Sequence, residues 1–266
     1  MSKATPTLGP LLAHRGAGFL DTENTLEALE LGWSMGLETE IDVSTTRDGV
    51  IIGFHDGDFS RMLNDPPASL RNRKLADTDW NELRALNIGT PDKPRRIPTI
   101  AEALTRLHAH PDRRLYLDIK CVDFPSLAAL VRKHDVAAQV IFSTNNNAWI
   151  TAWRALMPGT DTLRWVWMDE GQAGWTKAEA EIAILRAQGF AGITQLQLHI
   201  LVGETLHPSE PVIRALVDEL RARNIVFQIF PHSNDPNIYR RLHQLGVHSF
   251  ATDHPHELLD ALRSEN

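Results

Sequence analysis

Glu40, Asp42 and His55 fall within one short stretch, ETEIDVSTTRDGVIIGFHD at 38–56. Runs rich in β-branched residues flank Asp48-Gly49, a dipeptide that supplies the positive φ angles of a tight turn, so the stretch reads as a β-hairpin. Glu40 and Asp42 are two apart on the first strand and share a face, with Ile41 and Val43 on the other. A two-residue loop pairs Arg47 with Val50 and sets His55 opposite Asp42. A four-residue loop pairs Thr45 with Val50 and sets His55 opposite Glu40. Both registers predict His55 on the carboxylate face, because a two-residue shift preserves facing. Carboxylates converging with an imidazole on an otherwise apolar strand pair point to a divalent cation.

Residues of similar chemistry recur where other short apolar runs end. They are His14 and Arg15 after Leu11-Leu12-Ala13, Asp118 and Lys120 in LDIK, and Asp253 near the C-terminus. The carboxylates of Glu40, Asp42 and Asp118 would repel strongly in a low-dielectric pocket, and a bound Mg²⁺ or Ca²⁺ relieves that repulsion with the oxygen ligands it prefers. Asp253 precedes Pro255 at the start of a helical stretch, so N-capping is the role its position predicts. His207, His232 and His256 fall in loops and read as surface residues.

The elements that must position these groups alternate regularly. After the run at Leu11–Ala13, a helix is expected from about Asn24 to Met35, with Gly36 as its C′ residue. Further strands are expected at Leu115–Ile119, Val140–Ser143, Leu163–Trp167, Ile193–Leu198, Ile225–Phe230 and Ser249–Ala251. Helical stretches separate them, an order that means parallel strands with crossover helices. A distorted (β/α)8 barrel follows, with one hairpin strand running antiparallel as the ninth. Residues at the C-terminal strand ends then form one rim. Residues 57–98 exceed what the next unit needs; they include Pro66-Pro67 and a short helix begun by Asp79 with Glu82 three residues on. They read as an inserted lid or side lobe within a single domain spanning 1–266.

Composition narrows the function. A 266-residue chain that is 42% hydrophobic and 23% charged is an ordinary globule, and a net charge of −7 argues against a nucleic-acid or anionic-membrane surface. Cys121 is the single cysteine, which excludes an intramolecular disulfide and suits a reducing compartment. No stretch spans a membrane, and the N-terminus lacks the apolar segment of a signal peptide, so a cytoplasmic location is expected.

LLAHRG at 11–16, TENTLEA at 22–28, EIDVSTTRDG at 40–49 running into FHD at 54–56, LDIK at 117–120 and ATDHP near the end resemble the glycerophosphodiester phosphodiesterase family. The resemblance runs from residue 11 to about 262. It implies metal-dependent hydrolysis of glycerophosphodiesters to glycerol 3-phosphate and an alcohol on a distorted triosephosphate-isomerase barrel. It further implies His14 and His55 as the acid–base pair, Glu40, Asp42 and Asp118 as metal ligands, and Arg15 and Lys120 as phosphate contacts. Asp118 stands where the family usually has Glu. Two rivals share the pattern: lyase-type phospholipase D toxins, which are secreted and disulfide-bonded, and a non-catalytic phosphoryl-ligand barrel, which has no need of two proton carriers. The chain departs from the family at 226–232, where VFQIFPH replaces a Trp-Thr-Val-Asn run. Of Trp149, Trp153, Trp165 and Trp167, most are expected to pack barrel against helix. Trp165 and Trp167 share a strand face, and Trp167 lies near the rim, where it is expected to contact the substrate.

Overall fold

The computed structural model describes residues 8–63, 67–203 and 205–263. The N-terminal residues 1–7, examined above for a leader, and Pro66 of the proline pair lie outside the described residues. The strands are β1 (Leu11–Ala13), β2 (Glu38–Thr45), β3 (Ile51–Gly53), β4 (Leu115–Cys121), β5 (Val140–Thr144), β6 (Asp161–Trp167), β7 (Gln195–His199), β8 (Val226–Phe230) and β9 (Ser249–Thr252). They hydrogen-bond in the order β1-β9-β8-β7-β6-β5-β4-β2-β3, and β1 also pairs with β2. Eight parallel strands thus close into a (β/α)8 barrel, with β3 as an antiparallel appendage to β2. Leu115, Tyr116, Leu117 and Ile119 of β4 are all buried, as strands covered on both faces require.

Two compact units lie within this topology, one of Met1–His14, Ser143–Thr151 and Asp161–Asn266, the other of Arg15–Phe142 and Ala152–Thr160. The second contains the hairpin. Its loop has five residues, since Thr45 pairs with Ile51 and Val43 with Gly53. Thr46 closes it, donating its N–H to Val50 O at 3.0 Å while its hydroxyl reaches Asp48 Oδ1 at 2.6 Å. An odd loop shifts the register by one residue from both predicted alternatives and reverses facing. The pairing argument for His55 is therefore corrected. Phe54 donates to Asp42 O at 3.0 Å, β3 has already ended at Gly53, and His55 lies outside the ladder.

Residues 50–97 of this unit have their own apolar core. Ile52, Phe54, Phe59, Leu63, Leu70, Leu75, Leu83, Ile88 and Ile97 are buried together. The Asp79/Glu82 capping box expected from sequence begins the helix Trp80–Leu83. The segment is thus a packed side lobe that incorporates β3, and its core begins before residue 57.

In the first unit, β6 to β9 and the helices Gly171–Ala187 and Glu210–Ala222 enclose a large core that includes Val166, Leu196, Leu198, Ile229 and Phe250. Parallel register sets Gln197 beside Gln228 and Gln228 beside Ser249, and all three are buried. A polar layer therefore crosses three strands of an otherwise apolar assembly.

Candidate active site

In the second unit, parallel pairing of β2 with β4 sets Asp42 directly beside Asp118, with Glu40 two residues back on the same strand. One carboxylate oxygen from each of the three lies within 4.8 Å of the others, and all three residues are buried. Lys120 Nζ sits 2.6 Å from Asp118 Oδ2 and 3.1 Å from Asp42 Oδ1. Burial works to lower the Lys120 pKa, but Asp118, Asp42 and Glu40 outweigh it and hold the ammonium more firmly protonated than usual. Arg15 is held in the same way: burial opposes its charge, and Asp42, Glu23 and Glu40 overcome it. Its guanidinium Nε lies 3.3 Å from Asp42 Oδ2, and its backbone N–H donates to Glu40 Oε2 at 2.6 Å.

The turn that aims Arg15 is left-handed at two successive residues, Arg15 (φ 49°) and Gly16 (φ 101°). A Cβ at Gly16 would meet Ala28 Cβ at 2.7 Å, so only glycine fits between the turn and the helix Leu26–Ser34. Asn24 (φ 57°) completes the frame. It is buried, its Nδ2 donates to Asp42 Oδ2 at 2.7 Å, and its Oδ1 accepts the Asp42 N–H at 2.9 Å. Asn24 thereby holds both the backbone and one carboxylate oxygen of Asp42.

His55 connects to this cluster through a hydrogen bond and a chain of arginine ion pairs. Its Nδ1 lies 2.6 Å from Asp56 Oδ1, and Arg61 donates to Asp56 Oδ2 at 2.7 Å. Arg61 also holds Glu23 in a two-pronged pair at 2.7 and 2.6 Å, and Arg15 donates to both oxygens of that same Glu23 at 3.0 Å. Burial alone would raise the Glu23 and Asp56 pKa values, but their arginines, and His55 for Asp56, more than reverse it and keep both ionised. The side lobe therefore contributes charged residues to the site through Asp56 and Arg61.

In the first unit, His14 Nδ1 lies 2.7 Å from Asp253 Oδ1, and its ring meets Phe230 edge-on at 5.1 Å. Asp253, read from sequence as a helix cap, holds this imidazole. His232, read as a surface residue, is stacked on Phe230 at 4.0 Å, with Trp167 5.2 Å away. Pro231 and the left-handed backbone at His232 (φ 44°) turn the ring inward, which loop position in the sequence does not reveal. Burial pushes its pKa down to about 4, with His14 contributing and Asp253 opposing. His232 Nε2 meets His199 Nδ1 at 3.1 Å, and His199 Nε2 meets Gln197 Oε1 at 2.6 Å.

Glu40, Asp42, Asp118, Arg15 and Lys120 thus gather as one cluster in their unit, and His55 joins it through Asp56, Arg61 and Glu23. Trp167 is 38% exposed and bonds Asp169 Oδ1 through its indole N–H at 3.0 Å. Trp153 is fully buried and stacked on Phe142, as expected for a packing tryptophan. The sequence reading assigned no role to Glu23, Asn24, Asp56, Arg61 or His199. The signal for three of them was present, since Glu23, Asn24 and Asp56 stand inside the TENTLEA and FHD stretches.

A barrel with buried carboxylates and clustered cations at the ends of its strands has the donor set for a hard divalent cation beside an anionic ligand. The chain matches the Glycerophosphoryl diester phosphodiesterase family over residues 14–257, and it belongs to that family of phosphoric diester hydrolases. It is 23% identical over 267 aligned positions to a glycerophosphodiester phosphodiesterase of Bacillus subtilis (strain 168), covering 92% of this chain and 83% of that protein. It is also 30% identical over 142 residues to YhdW of the same organism, a match that spans 51% of this chain and about half, 54%, of YhdW. Its fold is similar to that of an Oleispira antarctica phosphodiesterase solved in complex with sn-glycerol-3-phosphate. That structure has a TM-score of 0.74 and 21% identity, with 96% of this chain and 97% of that one covered.

Proposed function

We propose that the chain hydrolyses glycerophosphodiesters to glycerol 3-phosphate and an alcohol, with His14 and His55 as proton carriers. The observation that carries this reading is the buried cluster of Glu40, Asp42 and Asp118, with Lys120 and Arg15 against it. Three carboxylates against two cations leave a net negative site built from oxygen donors alone, which fits one Mg²⁺ or Ca²⁺. When bound, that ion would offset the carboxylate charge and polarise a phosphoryl oxygen. Arg15 and Lys120, both held protonated, supply positive charge for the non-bridging oxygens of the phosphate. Trp167 contributes an exposed aromatic face to the substrate.

Asp253 at His14 Nδ1 and Asp56 at His55 Nδ1 favour the Nδ1–H tautomer of each ring, which places the reactive lone pair on Nε2. Each carboxylate also stabilises the imidazolium that forms when Nε2 takes a proton. One imidazole removes the proton of the attacking oxygen and the other protonates the departing alkoxide. Attack by water and attack by a neighbouring glycerol hydroxyl, through a cyclic phosphate that is later hydrolysed, use the same two transfers and release the same alcohol. The chain acts as one phosphodiesterase domain with the 57–98 region as its side lobe, on small-molecule substrates and in the cytoplasm, where a single cysteine is at home.

The test is a panel of glycerophosphodiesters assayed with and without chelator. Reversible loss of turnover on chelation is expected. His14→Ala and His55→Ala should each lower kcat by roughly two to four orders of magnitude with the fold intact. Full activity in excess chelator, or a folded histidine variant that keeps most of its turnover, refutes the corresponding assignment.

A further inference from the structure

The polar layer in the first unit has a direction. The Ser249 hydroxyl donates to Pro10 O at 2.7 Å, and a carbonyl can only accept. Ser249 Oγ, its one hydrogen thus used, must accept from Gln228 Nε2, 3.0 Å away. That turns the Gln228 carbonyl towards Gln197, whose Nε2 donates to it at 2.5 Å. The Gln197 carbonyl then faces His199 Nε2 at 2.6 Å and requires a proton there. The Nε2–H tautomer of His199 leaves a lone pair on Nδ1 that can accept from His232 Nε2, 3.1 Å away. The relay ends at His232, which is left with a bare Nδ1. Among the described residues no protein donor reaches that nitrogen.

Burial keeps His232 uncharged at neutral pH, with its pKa near 4, so Nδ1 remains an acceptor. Phe230 covers one face of the ring at 4.0 Å, Trp167 stands 5.2 Å away with its own ring 38% exposed, and His14 and Asp253 are close enough to influence the His232 charge. An aromatic wall with one fixed, uncharged acceptor suits an alcohol that brings a C–H face and a hydroxyl donor. A quaternary ammonium has no hydrogen to give, and seating it would strip water from Nδ1 without replacing the bond.

We propose that His232, polarised by the Pro10–Ser249–Gln228–Gln197–His199 relay, forms a hydroxyl-accepting subsite for the departing alcohol and selects polyol over choline-type diesters. This rests on the hydrolase reading above, and the experiment separates the two. The kcat/KM of the wild type is compared for glycerophosphoglycerol and glycerophosphocholine, then for His232→Phe, which keeps a flat ring against Phe230 and removes the acceptor. The wild type should prefer the glycerol diester by roughly tenfold or more, and His232→Phe should bring the ratio to near one, the effect of one neutral hydrogen bond. Hydrolysis of both diesters with a ratio unchanged in His232→Phe overturns the subsite and leaves the hydrolase reading standing. If neither diester is hydrolysed, the hydrolase reading falls, and dissociation constants for the same two diesters decide the subsite: equal affinities overturn it. The relay is read independently in the folded wild type by ¹⁵N–¹H imidazole NMR, which should find His232 protonated at Nε2 and bare at Nδ1. An Nδ1–H tautomer at neutral pH overturns the proposal whether or not the variant folds.

Discussion

Asn24 offers a direct test of how the acidic cluster is held. Asn24→Ala removes the acceptor of the buried Asp42 N–H and one donor to Asp42 Oδ2. An orphaned buried backbone N–H costs about 1–3 kcal/mol. The lost donor to a carboxylate is taken at the low end, about 1.5 kcal/mol, because Arg15 and Lys120 remain beside Asp42. Asn tolerates the left-handed backbone at φ 57° and Ala does not, which adds about 1 kcal/mol. The expected loss is about 3.5–5.5 kcal/mol, on the order of a 10 °C fall in Tm for a domain of this size. Asn24→Gly should recover about 1 kcal/mol of it, because glycine relieves the backbone strain and nothing else. Differential scanning calorimetry measures both, and a titration of activity against Mg²⁺ or Ca²⁺ measures whether a freed Asp42 weakens the ion site. A folded Asn24→Ala that loses less than about 1 kcal/mol, or that titrates with metal like the wild type, refutes the positioning argument.

Three further outcomes are expected. Asp118→Glu, which keeps the carboxylate, should need metal concentrations within a few-fold of wild type. Asp118→Asn should need roughly tenfold more, and equal titrations would remove Asp118 from the ligand set. Arg61→Ala should lower kcat by about tenfold through a loosened Asp56–His55 pair while changing stability by less than about 1 kcal/mol, because Arg61 is largely exposed; unchanged kcat would show that the lobe does not position His55. Asp21, held by Arg95 and Lys93, titrates at about 2 in the folded chain, below its ordinary value. Burial opposes that shift and the hydrogen bonds to Arg95, Lys93 and the Thr22 N–H outweigh it. A depressed carboxylate stabilises the fold above its unfolded pKa, near 4, and loses that contribution as pH falls towards 2. Urea melts of Asp21→Asn against wild type should therefore differ by about 1 kcal/mol at pH 6, after allowance for screening at exposed Lys93, and converge by pH 2.

Local chemistry made much of this chain legible. The strands from Leu115–Cys121 to Ser249–Thr252 and the helices between them follow from apolar periodicity, and Gly36 at φ 79° ends its helix where a C′ glycine should. The two-residue spacing of Glu40 and Asp42 placed them on one face without any knowledge of partners, because a strand alternates strictly. The role of Asp118 was legible only as a residue at a strand end. Register between β2 and β4 is what brings it beside Asp42.

Whatever depended on parity or on distant partners was not legible. The hairpin loop closes at an odd length through Thr46 and Asp48, and one residue of shift reverses every facing inferred for His55. Asp253 is a helix-start residue by sequence, and only the fold sets its carboxylate on His14, 239 positions away. Arg61 lies in the insertion by sequence, and only the fold carries it between Asp56 and Glu23. His232 is one loop histidine among twelve in the sequence. Pairing of β7 with β8 and β8 with β9 aligned Gln197, Gln228 and Ser249 into one hydrogen-bonded layer that leads through His199 to His232. Sequence determined the residues, their spacing and their strand faces, because those are local properties of the backbone. Tertiary structure decided which carboxylate meets which imidazole and which histidines share a hydrogen bond, because a hydrogen bond exists only once both partners have been brought within about 3 Å.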